Sequence, residues 1–574
     1  MSSGVFFLGL RRLRGPLILM VAVFATAMAG LVLIPGVDAD GGEWRMSFSQ
    51  ALYFVSYTAT TIGFGEIPQA FTETQRLWVT GMIFASVFGW AYLLASLLAL
   101  SADASFRGAL TAARFARAVR AMREPFYLIC GFGETGRLVG QALDRVDLRF
   151  AVIDIEQARI QELGLLDLAQ DAPALVADAR LPENLLAAGL AKPECRGVLA
   201  LTNDDQANLA VAMSVRLLNP RTPVLARALN KDVAANMASF DTDHIINPFA
   251  RFGEYLALAM ASPASYRLIT WLTGLTSLPG TTHVAETSPP RGPWVVCGYG
   301  RFGREVVSAF HDQGLDVSVI DPGEMPVSSL TTVKGVGTEA APLIAAGVRE
   351  SVGIVAGTDD DITNLSIAVT ARELNRDLFT IVRQNLQANR ALFDALSADI
   401  TMVSSEIIAN DCLALIRTPR LAGFLAIVRG RGSAWAVHTS ERLQAKLGKT
   451  TPEIWSVLIS PESAPALQHL LHEERRAVSL GDLARDPADR NRSLDLCALS
   501  LTRSGSTDPL PDHEIALQPG DEVLYAGTTH ARRAQRPLLR NINACEYVVS
   551  GVDMSGGWIW QRRRRKSMRV QADV

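Results

Sequence analysis

The chain has 574 residues, too many for one domain, and its 55 basic against 58 acidic residues leave a formal charge of −3. That balance gives no nucleic-acid partner a charged surface to seek. Six cysteines (Cys130, Cys195, Cys297, Cys412, Cys497 and Cys545) lie scattered without metal spacing, which excludes a disulfide framework and reads as reduced thiols of a cytosolic compartment.

Near the N-terminus, Pro16 to Val37 carries no charge, nor does Leu77 to Ser101, and each is long enough to cross a bilayer as a helix. Between them Met46 to Ile62 is uncharged but too short to span, as a re-entrant helix would be. It runs into Thr61-Ile62-Gly63-Phe64-Gly65. Irregular backbone at membrane depth is tolerated only where protein buries it or where it lines a watery path. Arg11, Arg12 and Arg14 precede the first span, and Arg107, Arg114, Arg117, Arg120 and Arg123 follow the second. The loop between holds Asp38, Asp40 and Glu43 against Arg45. The positive-inside rule then predicts a multi-pass protein of the cell inner (plasma) membrane with cytoplasmic N- and C-termini. No apolar stretch carries Arg or Lys at every third residue, so no voltage sensor is expected. Gly89 is the expected place for a bend in the second span. Residues 102–124 set arginines at helical spacing among Ala, Phe and Val, which predicts an amphipathic helix leaving the membrane.

The run Thr61-Ile62-Gly63-Phe64-Gly65, flanked in this way, resembles the potassium-channel selectivity filter. The resemblance implies that the backbone carbonyls of Thr61, Ile62, Gly63 and Phe64, with the Thr61 hydroxyl, replace the water that potassium sheds. Gly63 and Gly65 permit the backbone angles such a loop needs. One loop cannot encircle an ion, so four chains must assemble as a homotetramer around the pore. A non-selective cation channel is the alternative, because Phe64 stands in place of the usual tyrosine and Glu66 in place of the usual aspartate.

Beyond residue 125 the chain repeats itself. Tyr127 to Cys130 leads into Gly131, Gly133 and Gly136, and Trp294 to Cys297 leads into Gly298, Gly300 and Gly303. Each apolar strand runs into Gly-x-Gly-x-x-Gly and a helix. A second strand then ends in Asp154 or Asp321, each 23 residues after its first glycine. Further on, Thr202 to Asn208 matches Thr358 to Asn364, with Arg227 and Arg383 another 19 residues along. Found twice, this is a strong dinucleotide-binding pattern. Its glycines let backbone N–H groups meet phosphate, and its acid suits ribose hydroxyls. The expected ligand is therefore NAD(H) or an adenine nucleotide, held in the first unit by Gly131, Gly133, Glu134, Thr135, Gly136 and Asp154. In the second unit Gly298, Gly300, Gly303 and Asp321 are the counterparts.

Taken together, the chain resembles two-transmembrane prokaryotic potassium channels with tandem RCK domains, which are related to TrkA. The resemblance implies an α-helical pore (two spans, a pore helix and a filter loop) followed by α/β tandem Rossmann-like domains and a small C-terminal α+β lobe. It places an acidic residue near the nucleoside at Asp178, a position the second unit does not match. The expected segments are a pore domain over 1–101 and a linker helix over 102–124. Two Rossmann N-lobes follow, the first with its linker over 125–285 and the second over 286–430. A C-terminal lobe over 431–535 and a basic tail over 536–574 complete the chain. The resemblance further implies gating by a ligand that changes the ring of Rossmann units. Asp204-Asp205 and Asp359-Asp360-Asp361 are candidate calcium ligands, but they lack the alternating spacing of a calcium loop and fall where acids stabilise a helix start. No metal site is expected among the histidines, which number eight and do not cluster. A membrane-anchored NAD-dependent oxidoreductase would need a catalytic His, Lys or Tyr beside a glycine turn. None is found, so no enzyme is expected.

Overall fold

The computed structural model describes residues 2–38, 40–66, 69–273, 288–323, 330–448 and 450–552, and these fall into two compact units. The first runs to Glu124 and takes in residues 173–177 and 183–189. Its helices are α1 (Ser2–Leu33), α2 (Phe48–Ala59), α3 (Glu73–Ala102) and α4 (Ala104–Ala121). Ser47 with Gln50 starts α2, and Thr72 with Gln75 starts α3. In each, the N-cap hydroxyl accepts from the third backbone N–H while the glutamine side chain reaches back to the cap. α1 packs along α3. Their close approach depends on Gly30, where a β-carbon would overlap the Trp78 ring. Leu31, Met46, Phe54, Val55 and Phe71 form the small core beneath the loop that follows α2.

Only 17% of the apolar window of α1, and the same share of α3, is buried. The core helix of a soluble protein would be covered, whereas here Leu17, Ile18, Val21, Leu77, Phe84 and Phe88 face outward. That surface suits lipid. α3 is one unbroken helix across Gly89, whose β-carbon would come 3.2 Å from Met20 Sδ.

The second unit begins with β1 (Phe126–Cys130), α5 (Glu134–Asp144), β2 (Arg149–Asp154) and α6 (Gln157–Leu163). It continues through β3 (Cys195–Ala200), α7 (Asp205–Leu218), β4 (Val224–Arg227) and β5 (His244–Ile246). These strands pair in parallel with β1 between β2 and β3, and β4 and β5 follow outward from β3. Helices α8 (Pro248–Ala261) and α9 (Pro263–Thr273) come next.

The second repeat supplies β6 (Trp294–Cys297), α10 (Arg301–Asp312), β7 (Val317–Asp321), β8 (Thr331–Lys334), β9 (Gly353–Ala356), α11 (Asp361–Leu374), β10 (Phe379–Gln384), β11 (Ile400–Val403) and α12 (Ser404–Arg417). Its sheet order is β8-β7-β6-β9-β10-β11, the doubly wound arrangement in which the first strand of the motif is central and the order reverses beside it. The likeness reaches single hydrogen bonds. Asn208 Nδ2 donates to the Arg227 carbonyl at 2.9 Å, and Asn364 Nδ2 to that of Arg383 at 2.8 Å. Both asparagines are fully buried, and each also ties down the loop after the strand beside the central one, β3 or β9, at Thr202 and Thr358.

The two Rossmann halves exchange helices. α8 leaves the first half and packs on α10 of the second, while α12 leaves the second and packs on α5 of the first. Phe249, Phe252, Leu256 and Met260 of α8 share one core with Phe302, Val306 and Phe310 of α10. The exchanged helices are themselves joined, since Arg251 Nε donates to Asp411 Oδ2 at 2.8 Å.

The lobe that follows has helices α13 (Pro419–Arg431) and α14 (Ser433–Leu447) and an antiparallel sheet of β12 (Glu453–Leu458), β13 (Leu496–Arg503), β14 (Ser506–Pro509) and β15 (Glu522–Gly527), ordered β12-β15-β13-β14. Helices α15 (Thr529–Arg540) and α16 (Ile542–Ser550) end the described chain. Strand alternation splits the sheet between two cores. Trp455, Val457, Leu496 and Tyr525 join Cys545 of α16, while Leu499 and Leu524 face Leu268, Leu272, Phe424 and Leu443.

Packing therefore corrects two segment boundaries. Residues up to 285 were expected to belong to the first N-lobe and its linker, yet α8 is built into the second half and α9 into the lobe, where Trp271 Nε1 donates to Thr450 O at 3.1 Å. The tail expected from 536 begins later, because Leu538, Cys545 and Val548 are buried. The Pro/Gly/Ser/Thr-rich linker over residues 274–287 and the basic run at 561–566 lie outside the described residues.

Candidate functional site

In the first unit, α2 delivers the chain to the loop Thr61 to Gly65. Ile62 N–H donates to the Tyr57 carbonyl at 2.9 Å, closing the helix end. Positive φ then recurs at every second residue: Thr61 at 64°, Gly63 at 65° and Gly65 at 89°, while Ile62 and Phe64 do not share it. A backbone in which every second residue is left-handed can turn successive carbonyls to one side. For Gly63 and Gly65 this costs nothing sterically, but for Thr61 it is strained by about 1–2 kcal/mol. The Thr61 hydroxyl donates to the Thr60 carbonyl at 2.7 Å.

Three contacts hold the loop. Tyr57 OH donates to the Gly65 carbonyl at 2.6 Å. The Phe64 ring meets Tyr57 edge-on at 5.3 Å and stacks with Tyr53 at 6.4 Å. Glu66 accepts from Phe71 N–H at 2.9 Å and from Arg76 at 2.8 and 3.1 Å. Tyr57 escaped the sequence analysis. Its only signal was an aromatic residue one turn before the loop, and it supplies from the helix a phenolic hydrogen bond that Phe64 lacks.

In the second unit the first glycine turn sits at the carboxyl end of β1. Gly131 has φ of 96°, and a β-carbon there would lie 2.7 Å from Thr202 N. A β-carbon on Gly136 would run into the Gly131 carbonyl. Gly298 (φ 94°) and Gly303 repeat both constraints. Gly133 and Gly300 begin α5 and α10 without a side-chain cap, so backbone N–H groups head each helix. Burial pushes the Cys297 thiol up to about 12, and raises that of Cys130 further, which keeps both thiols inert beside the turns.

Asp154 lies beside the first turn, where its Oδ2 accepts from Phe132 N–H at 2.5 Å and its Oδ1 from Glu156 N–H at 2.8 Å. Asp321 does the same with Tyr299 at 2.6 Å and Gly323 at 2.8 Å. Each acid thus braces its own turn, and each oxygen keeps a second lone pair for a ligand hydroxyl. Asp178 is paired with Arg180, Nη2 to Oδ2 at 2.7 Å, and that hydrogen-bonded guanidinium holds its carboxyl below the usual range. Glu134, expected at the ligand, accepts through Oε1 from Gln387 N–H of the second half at 2.9 Å. Thr135 is buried. Arg159, which no pattern singled out, reaches from α6 to the face of Gly133.

The acidic runs serve their own turns. Asp204 and Asp360 cap α7 and α11. Asp205 accepts from Leu229 and Asn230, Asp361 from Asn385 and Leu386, and Asp359 pairs with Arg383 at 2.6 Å. Among the described residues no three His, Cys, Asp or Glu side chains gather as metal ligands.

Residues 17–101 match the ion channel family model, and residues 127–248 and 294–404 match the TrkA-N domain model. Potassium channel protein 1 of Methanocaldococcus jannaschii is 24% identical over 217 residues, covering 38% of this chain and 63% of that protein. Probable potassium channel protein 2 of the same organism is 23% identical over 247 residues, covering 43% of this chain and 68% of that one. Among solved structures, the GsuK channel bound to NAD is 15% identical, with a TM-score of 0.46, covering 92% of this chain and 98% of that one.

Proposed function

We propose that this chain, which joins an ion-channel domain to two TrkA-N domains, is a potassium-selective channel of the cell membrane, gated by a nucleotide. The alternation of positive φ at Thr61, Gly63 and Gly65, between two helices with uncovered apolar faces, carries this reading. Backbone oxygens presented on one side are what a dehydrated potassium ion requires. The single loop per chain calls for a homotetramer, with both termini in the cytoplasm, and no catalytic step is assigned. Purified protein in liposomes under opposed potassium and sodium gradients should give a reversal potential close to that of potassium. Equal permeability to both ions would sink the selectivity claim.

The gating ligand in this reading is NAD(H) or an adenine nucleotide such as ADP, bound along Gly131, Gly133, Gly136 and Asp154. For the ligand to gate, it must bind the open and closed forms with different affinity. A ribose hydroxyl on the Asp154 carboxylate contributes about 1.5–3 kcal/mol. Asp154→Ala should therefore weaken ADP binding about ten- to over a hundred-fold by calorimetry on the full chain in detergent. Asp321→Ala should do the same only if the second turn is also a binding site. Unchanged ADP affinity in Asp154→Ala would remove the first turn from the ligand site.

A further inference from the structure

Gly133 is not glycine for conformational reasons. Its φ is −72°, an angle open to any residue. What a side chain would meet is Arg159, because a β-carbon at Gly133 would fall 2.5 Å from Arg159 Nη1. Gly300 occupies the same place in the second turn with the same φ, yet its β-carbon would meet nothing within 4 Å. The middle glycine of such a turn is the one across which a pyrophosphate approaches the backbone. In the first turn, then, a guanidinium lies over that approach face.

Arg159 is held there by the loop that follows the ribose-side acid. Its Nε donates to Glu156 Oε2 at 3.0 Å and its Nη2 lies 2.9 Å from Glu156 Oε1. Glu156 N–H is in turn bound to Asp154 Oδ1 at 2.8 Å. This leaves Nη1 as the atom directed across Gly133. Its side chain keeps 26% of its surface exposed, so the guanidinium is accessible to a ligand rather than locked into the core. A planar guanidinium offers paired donors matched to phosphate oxygens, and such charge-assisted bonds are the stronger class.

We propose that Arg159 is the phosphate-recognising residue of the first glycine turn, restrained by Glu156, and that it makes this site select nucleotides carrying a diphosphate over phosphate-free nucleosides. The inference rests on the nucleotide reading above and adds a charge requirement to it. Glu156 is a positioning residue with two opposed effects. It aims the guanidinium, and it competes with phosphate for it.

The test is calorimetry of the full chain in detergent with ADP and with adenosine. Arg159→Gln should weaken ADP by about ten- to a hundred-fold and leave adenosine unchanged. Arg159→Lys, which keeps charge but not the planar fork, should recover part of the loss. Glu156→Gln should tighten ADP several-fold, because the competing carboxylate charge is gone. A structural role for Arg159 would instead weaken both ligands together, and that result overturns the proposal, as does an unchanged ADP affinity in Arg159→Gln. Asp154→Ala separates the two levels. If it weakens both ligands while Arg159→Gln spares both, the nucleotide site stands and the arginine clamp falls. Wild-type protein that binds neither ligand removes both.

Discussion

Gly63→Ala is expected to abolish potassium conduction while leaving the protein folded and assembled. Gly63 has φ of 65°, and a β-carbon there meets nothing within 4 Å in its own chain. The obstacle is therefore the backbone conformation itself, which costs an L-residue about 1–2 kcal/mol. In the proposed tetramer that cost recurs in each chain, and rotating the peptide to relieve it withdraws a carbonyl from the ion path. Thr61 shows how a residue with a β-carbon is held at positive φ in the same loop, since its hydroxyl bonds to the Thr60 carbonyl. Alanine has no hydroxyl to do this. Gly81→Ala is the control, because that helical glycine has neither positive φ nor a neighbour within 4 Å. Flux into liposomes at matched protein should vanish for the first variant and persist for the second. Wild-type flux through Gly63→Ala would mean that ions do not follow this loop.

The parts of this architecture that sequence discloses are those encoded locally. Charge-free spans, a glycine alternation within five residues and a strand–glycine–helix–acid pattern all lie within short windows, and each appears in the structure where expected. The repeat was legible for the same reason, down to Asn208 and Asn364. What sequence did not disclose depends on residues that meet only in the fold. α8 follows directly on β5, and nothing in its amphipathic pattern says that its apolar face belongs to α10 rather than to its own sheet. Glu134 sits inside the glycine motif, and its bond to Gln387, far along the chain, could not be read from that motif. Tyr57 and Arg159 are ordinary residues on ordinary helices. Only the distances of Tyr57 OH to Gly65 O and of Arg159 Nη1 to the face of Gly133 mark them out.

Alanine at the third glycine of the first turn and at the middle glycine of the second should have opposite effects, and the contrast tests whether the strand-to-helix approach is as tight as described. Gly136→Ala should be strongly destabilising, because its β-carbon would run into the carbonyl oxygen of Gly131. Backbone cannot rotate out of the way as a side chain does, so α5 must move off β1. That movement is opposed from outside, where α12 of the second half packs on α5. Overpacking of this kind costs about 1–3 kcal/mol when side chains can yield, and a backbone clash belongs at the upper end or beyond. The same shift would pull the helix N-terminus away from Gly131 and Asp154, so ADP binding should be lost along with stability. Gly300→Ala places a β-carbon at φ of −72° with nothing within 4 Å, at the N-cap of α10 rather than inside the helix. It should change stability by no more than about 0.5 kcal/mol. Thermal unfolding of the full chain in detergent should therefore show a clear drop in the midpoint for Gly136→Ala and almost none for Gly300→Ala. Equal midpoints for the two variants would show that α5 has room to shift, and that the first turn does not hold the close strand-to-helix packing on which its phosphate-binding geometry depends.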